Sequence, residues 1–138
     1  MNADKIKLSG LDDATRERLD GITHTIISAA IDVCNRLGAG YLEKVYENAL
    51  AYELRQRGLN AQQQQPLLIR YKNVVMGEYF ADILVEGSVI IELKCADRIV
   101  GEHTAQCLNY LRGTNLHVGL ILNFQRPRLE YKRVVRNF

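Results

Sequence analysis

From Ile22 onward, apolar residues recur at helical spacing: Ile22, Ile26, Ala30, Val33 and Leu37. A period of that kind puts one apolar stripe on an amphipathic helix. Arg36 and Gly38 then supply an end signal, a cation near the carbonyl end followed by a residue that tolerates positive φ. The preceding residues 12–20 are charged and read as irregular, with one or two helical turns. After Gly38-Ala39-Gly40, a second stripe runs through Leu42, Val45, Tyr46, Ala49, Leu50 and Leu54, closed by Arg55, Arg57 and Gly58. The pattern then becomes strand-like. Gln62 to Tyr71 reads as an edge strand, because Pro66 lacks the N–H that a central ladder needs. Lys72-Asn73 reads as a turn, and Val75–Val85 and Val89–Cys95 as two strands joined at Glu86-Gly87-Ser88. A third helix is expected from Gly101 to Arg112 with Gly113 as its stop, then a buried strand Val118–Phe124 and a last strand Tyr131–Val135. This order predicts an α/β protein, a mixed sheet with helices packed on both faces.

The 138 residues suit a single domain, with residues 1–20 as an N-terminal extension and 21–136 as the core. Apolar residues make up 47% and charged residues 25%, the balance of a water-soluble globule. No apolar run reaches membrane-spanning length and MNADKIKLSG does not resemble a signal peptide, so no membrane partner and a cytoplasmic location are expected. Cys34, Cys95 and Cys107 form no C-x-x-C pair and read as reduced, packed thiols. The net charge of +2 does not by itself announce a nucleic-acid binder. Locally, Arg126, Arg128, Lys132, Arg133 and Arg136 face only Glu130. That cluster suits either phosphate contact or a solvated strand edge.

The most informative segment is Val89-Ile90-Ile91-Glu92-Leu93-Lys94. Period-two alternation puts Glu92 and Lys94 on one face of an otherwise apolar strand. Asp82 interrupts the preceding apolar strand. With a three-residue loop at 86–88, Val85 lies opposite Val89, and Asp82 opposite Glu92, so Asp82, Glu92 and Lys94 converge. A two-residue loop would shift the register and turn Asp82 away. Two adjacent carboxylates repel unless a proton or a cation lies between them, and oxygen donors suit Mg²⁺ or Mn²⁺. The plainer alternative is a hairpin rim with a surface ion pair to Lys94. On the third helix His103, Gln106 and Tyr110 share a face. His103 suits either phosphate contact or helix-start hydrogen bonding. Glu43 suits the N-terminal end of its helix dipole, Tyr46 the core, and Glu47 a solvated helix face. His24 and His117 have no evident partner and read as structural.

Asp82, nine intervening residues and Glu92-Leu93-Lys94 together resemble the signature of the PD-(D/E)XK nucleases. Gln106-Cys107-Leu108-Asn109-Tyr110 resembles the Gln-x-x-x-Tyr helix of some exonuclease branches of that superfamily. Gly40-Tyr41-Leu42-Glu43-Lys44-Val45-Tyr46 is similar to the motif that names the GxxExxY proteins within it. Ala81 stands where the superfamily name has Pro. The likeness spans about Ile22 to Val135 and implies a restriction-endonuclease-like core. It implies that Asp82, Glu92 and, through water, Glu43 bind Mg²⁺ or Mn²⁺, and that Lys94 assists the attacking water. It further implies that Gln106 positions the site, that Tyr110 and His103 touch nucleic acid, and that Tyr46 orients Glu43. The expected activity is metal-dependent hydrolysis of nucleic-acid phosphodiesters, DNA ahead of RNA. The competing expectation is a nuclease-fold module that binds nucleic acid or assembles with weak or no catalysis. A homodimer or partner protein is compatible with both.

Overall fold

The computed structural model describes residues 10–138. The first helix among the described residues, α1, runs Asp13–Leu37, so it begins well before the apolar period at Ile22. Residues 13–20, expected to be irregular with one or two helical turns, are continuous with the helix. The Asp12 side chain caps the helix by accepting from the Thr15 N–H at 2.7 Å, and Leu19 carries the buried stripe back by one turn. Charged residues on the outer face hid this from the apolar pattern. At the far end the Gly38 N–H donates to the Cys34 carbonyl at 2.9 Å, with φ at 74°.

Helix α2 spans Glu43–Gln56 and buries Tyr46, Glu47, Leu50, Ala51 and Leu54. Its buried stripe is rotated from the expected one: Leu42 precedes the helix and is 80% exposed, and Val45 is also exposed. Strands β1 (Ala61–Tyr71), β2 (Val74–Val85) and β3 (Val89–Lys94) follow, then α3 (Gly101–Thr114), β4 (Val118–Asn123) and β5 (Glu130–Val135). Helix α3 runs through Gly113 and stops at Asn115, whose left-handed φ of 60° ends it. Gly113 serves packing instead: a Cβ there would lie 2.8 Å from the Ile69 side chain.

The five strands lie in sequence order, with β3 and β4 parallel and the other neighbours antiparallel. The parallel pair needs a crossover, which α3 provides. Helices α1 and α2 cover one face, where Ile26, Leu50, Leu54, Ile83, Ile91 and Leu120 form the larger core. The other face packs Ala81, Leu84, Ile90 and Ile121 against Cys107 and Leu111 of α3. The mixed sheet with helices on both faces matches the expected architecture. β4, inside the sheet and covered on both sides, is buried at every position. β1 is an edge, as Pro66 requires. No described helix is long and apolar enough to cross a membrane.

The β1–β2 ribbon changes face partway along. On β2, Ile83 and Val85 join the core under α1 and α2, whereas Tyr79 and Ala81, also odd-numbered, pack on the α3 side. The break falls at Asp82. Opposite it on β1, Gln64 has a φ of 50°, and the register passes from Gln63↔Ile83 to Gln65↔Ala81 with no pair between them. Beyond this pivot the ribbon leaves β3, which pairs with β2 only from Ile83 to Val85, and folds over α3.

Candidate functional site

The pivot leaves β2 and β3 splayed at one end, and side chains take over from the backbone ladder there. The hairpin loop has three residues, with Glu86 and Gly87 both at positive φ and Val85 paired with Val89. That register carried forward sets Asp82 against Glu92. The Leu93 N–H donates to Asp82 Oδ2 at 2.8 Å, and the Asp82 N–H lies 3.4 Å from Glu92 Oε2. Each carboxylate thus engages the other strand's backbone. Lys94 lies two residues beyond Glu92, and its charge favours the ionised form of both acids.

The two acids are held at a cost. Glu92 is only 8% exposed, and burial pushes its carboxyl up to about 7. The Tyr79 hydroxyl opposes that shift, the Asp82 charge adds to it, and the Asp82 N–H and Lys94 oppose it. Burial raises Asp82 as well, against the Leu93 N–H; the Glu47 charge pushes it further up, and the Gln64 amide and Lys94 pull it back. Tyr79 is half-buried, with its hydroxyl oxygen buried close to Glu92; that hydroxyl makes no hydrogen bond of good geometry, and burial raises its pKa above the usual phenol value. Its ring stacks on Tyr110 at 3.4 Å between centroids.

The remaining expected residues sit around this centre. Glu43 is exposed and accepts from the Cys95 N–H at 3.2 Å, just past Lys94. Gln106 is exposed on α3, one turn before Tyr110, whose own pKa is raised by burial and by the Glu92 charge. His103 Nδ1 accepts from the Val100 N–H at 3.1 Å, which is the helix-start arrangement. Tyr46 is fully buried, stacks on Phe124 and donates to the Gly38 carbonyl at 2.6 Å. It also accepts from the Tyr41 N–H, so it braces the 38–41 loop rather than Glu43. Of the basic C-terminal run, Arg133 pairs with Asp20 at 2.6 Å, and Arg126 and Arg136 donate to the Asp97 and Leu116 carbonyls. His117 does have a partner: its Nδ1 lies 3.0 Å from the Arg136 carbonyl.

Besides Tyr79, three groups near the site lie outside the expected set: Glu47, Gln64 and Asn123. Glu47, expected to be solvated, is 4% exposed. Its Oε2 accepts from Lys44 at 2.9 Å and from Gln63 at 2.7 Å, and its Oε1 from Gln64 at 2.9 Å. Gln64 also reaches Asp82 Oδ1 at 3.4 Å. The signal was present in the sequence: Glu47 shares a stripe with Leu50, Ala51 and Leu54, at the spacing of one buried helix face. Asn123 is fully buried at the end of β4 and ties Ala96 and Glu130 together, which fixes the turn after Lys94.

The donor chemistry suits a hard cation. Asp82 and Glu92 offer two neighbouring carboxylates that burial disfavours as anions, and Mg²⁺ is commonly held by one or two carboxylates together with waters and substrate phosphate. A fuller protein cage is not preformed: among the described residues no three His, Cys, Asp or Glu side chains gather closely enough to hold a metal.

Comparison with known proteins agrees with the fold. The model of the PD-(D/E)XK nuclease superfamily matches residues 20–134. The crystal structure of SSO0001 aligns with a TM-score of 0.54 at 18% identity, over 70% of this chain and 51% of that one, so this chain spans about half that protein's length. The crystal structure of an alkaline exonuclease (LHK-Exo) from Laribacter hongkongensis aligns with a TM-score of 0.50 at 15% identity, covering 96% of this chain and 75% of that one. Likenesses at these identities concern the fold alone. A search of curated proteins returns no significant match. With the family model covering most of the sequence and the sheet carrying its acidic strand pair at the expected place, this chain belongs to the PD-(D/E)XK nuclease superfamily.

Proposed function

We propose that the chain is a nuclease-fold domain that engages nucleic acid, DNA ahead of RNA, at the splayed end of β2 and β3, with hydrolysis weak or absent unless a cation and a phosphate complete the centre. The observation that carries this reading is the state of Glu47, the buried acid linked to Asp82 through Gln64. Glu47 is already satisfied by Lys44, Gln63 and Gln64, which leaves Asp82 and Glu92 as a two-carboxylate site. Such a site depends on its substrate for its remaining ligands.

A second reading, metal-dependent hydrolysis of phosphodiesters, is favoured by a different observation. Asp82 and Glu92 lie side by side in the sheet, and burial raises both above the ordinary carboxylate range, an arrangement that a divalent cation would relieve. In this reading Asp82 and Glu92 hold Mg²⁺ or Mn²⁺, with Glu43 contributing through water. When bound, such an ion polarises a phosphate and lowers the pKa of water. Lys94 orients the attacking water or stabilises charge developing on the phosphate. Gln106 positions Tyr110, and Tyr110 and His103 contact the nucleic-acid backbone. Within the superfamily we assign the chain to the GxxExxY group. Gly40 at a φ of 109°, Tyr46 bonded to the Gly38 carbonyl and Glu43 on the Cys95 N–H give each residue of that motif a physical task.

One experiment separates the readings. The purified chain is incubated with single- and double-stranded DNA and RNA, with and without Mg²⁺ or Mn²⁺. Binding without turnover, unchanged by metal and weakened by salt, supports the module. Metal-dependent cleavage that falls at least ~100-fold in Asp82→Ala supports hydrolysis at this site. Cleavage that persists in Asp82→Ala sinks the site. Sizing of the same sample tests for a homodimer.

A further inference from the structure

We propose that Gln64 is a positioning residue whose side-chain amide sets the orientation of Asp82 and links it to Glu47. The inference rests on the reading of Asp82 and Glu92 as a cation site. Gln64 holds a left-handed backbone, with φ at 50° in the middle of β1. The other described residues at positive φ lie in turns, at helix ends or in the C-terminal tail, where that conformation closes a turn or ends a helix. Glycine and asparagine are the residues that adopt it readily. A glutamine there runs against local preference, and such conflicts gather where a side chain is needed for function.

The side chain explains the choice. Gln64 Nε2 lies 2.9 Å from Glu47 Oε1 and 3.4 Å from Asp82 Oδ1. One amide therefore spans two acids on different elements. The second Asp82 oxygen is taken by the Leu93 N–H at 2.8 Å, so Asp82 is held from β1 on one side and from β3 on the other. Glu47 in turn is fixed by Lys44 and Gln63. The chain of contacts runs from α2 through Gln64 to Asp82. Partners of this kind, which hydrogen-bond a ligating carboxylate, commonly control metal affinity by ~10–100-fold. The left-handed backbone also makes the pivot at which the ribbon leaves β3, so the residue that opens the site is the one that aims its aspartate.

Gln64→Gly separates the two roles, because it keeps the left-handed backbone without strain while removing the side chain that carries the amide. The measurements use the full chain: melting temperature, Mn²⁺ titration by calorimetry, and the Leu93 amide resonance in metal-free protein. Gln64→Gly should bind Mn²⁺ ~10–100-fold more weakly and shift the Leu93 resonance, since that N–H reports on Asp82; its melting temperature shows that the variant is folded. Gln63→Ala, which loses contacts to Glu47 and Asn48 but none to Asp82, should change the Mn²⁺ affinity far less. An unmoved Leu93 resonance, or an unchanged Mn²⁺ affinity in Gln64→Gly, overturns the proposal. If the parent chain takes up no Mn²⁺ while the Leu93 resonance still moves, the positioning stands and the cation reading fails.

Discussion

Toward its loop the β2–β3 hairpin is an apolar ladder. Ile83, Leu84 and Val85 face Ile91, Ile90 and Val89, all buried, with backbone pairing throughout. At the other end the same two strands place Asp82 on the Leu93 N–H and Glu92 against the Asp82 N–H. The first end is stabilised by burial and complete hydrogen bonding. The second stores unfavourable electrostatics, which burial imposes on both acids. Stability and chemistry are thus divided along one hairpin. The apolar end can hold the register that the acidic end needs, because a slip of one residue would expose a buried face.

Three changes test that division. The largest loss should follow Ile91→Ala at the apolar end. A fully buried isoleucine cut to alanine costs about 2–5 kcal/mol, read by urea unfolding. A loss below about 1 kcal/mol would mean that the apolar end is not what holds the hairpin.

The acidic end should respond in the opposite sense. Glu92 in the folded chain titrates at about 7, against 4.5 as its ordinary value. Between those pH values the folded state holds a proton that the unfolded chain releases, so this group makes stability fall as pH rises from 4.5 to 7. Asp82, also raised, acts in the same direction. Glu92→Gln should flatten the slope and stabilise the metal-free chain by up to ~3 kcal/mol above pH 7. Urea melts across that range check it, and an unchanged slope would show that Glu92 is not the strained group. The smallest effect belongs to the loop. Gly87→Ala forces a Cβ at a φ of 61° and should cost about 1–2 kcal/mol. The same loss with an unchanged Leu93 amide environment would show that the apolar ladder alone maintains the register.

Much of this arrangement was legible in the residues. The Gly87 loop gave the register, the register set Asp82 against Glu92, and the apolar runs marked β3 and β4 as interior strands. The start of α1 was legible only as one or two separate helical turns, because the charged outer face and the Asp12 cap do not show that those turns run on into the helix. Glu47 could have been found from its place on the stripe of Leu50, Ala51 and Leu54, but its charge argued for solvent. Gln64 could not, since one glutamine in a run of four carries no mark of a left-handed backbone.

The sequence by itself determined the order of elements, the buried strands and the hairpin pairing, since these follow from local periodicity and turn chemistry. Tertiary structure alone decided that β1 and β2 pivot at Gln64 and Asp82, that Tyr79 comes over Glu92, and that Glu47 rather than Glu43 is linked to the aspartate. Those outcomes depend on where residues distant in sequence can bury polar groups with partners, and no local pattern records that balance.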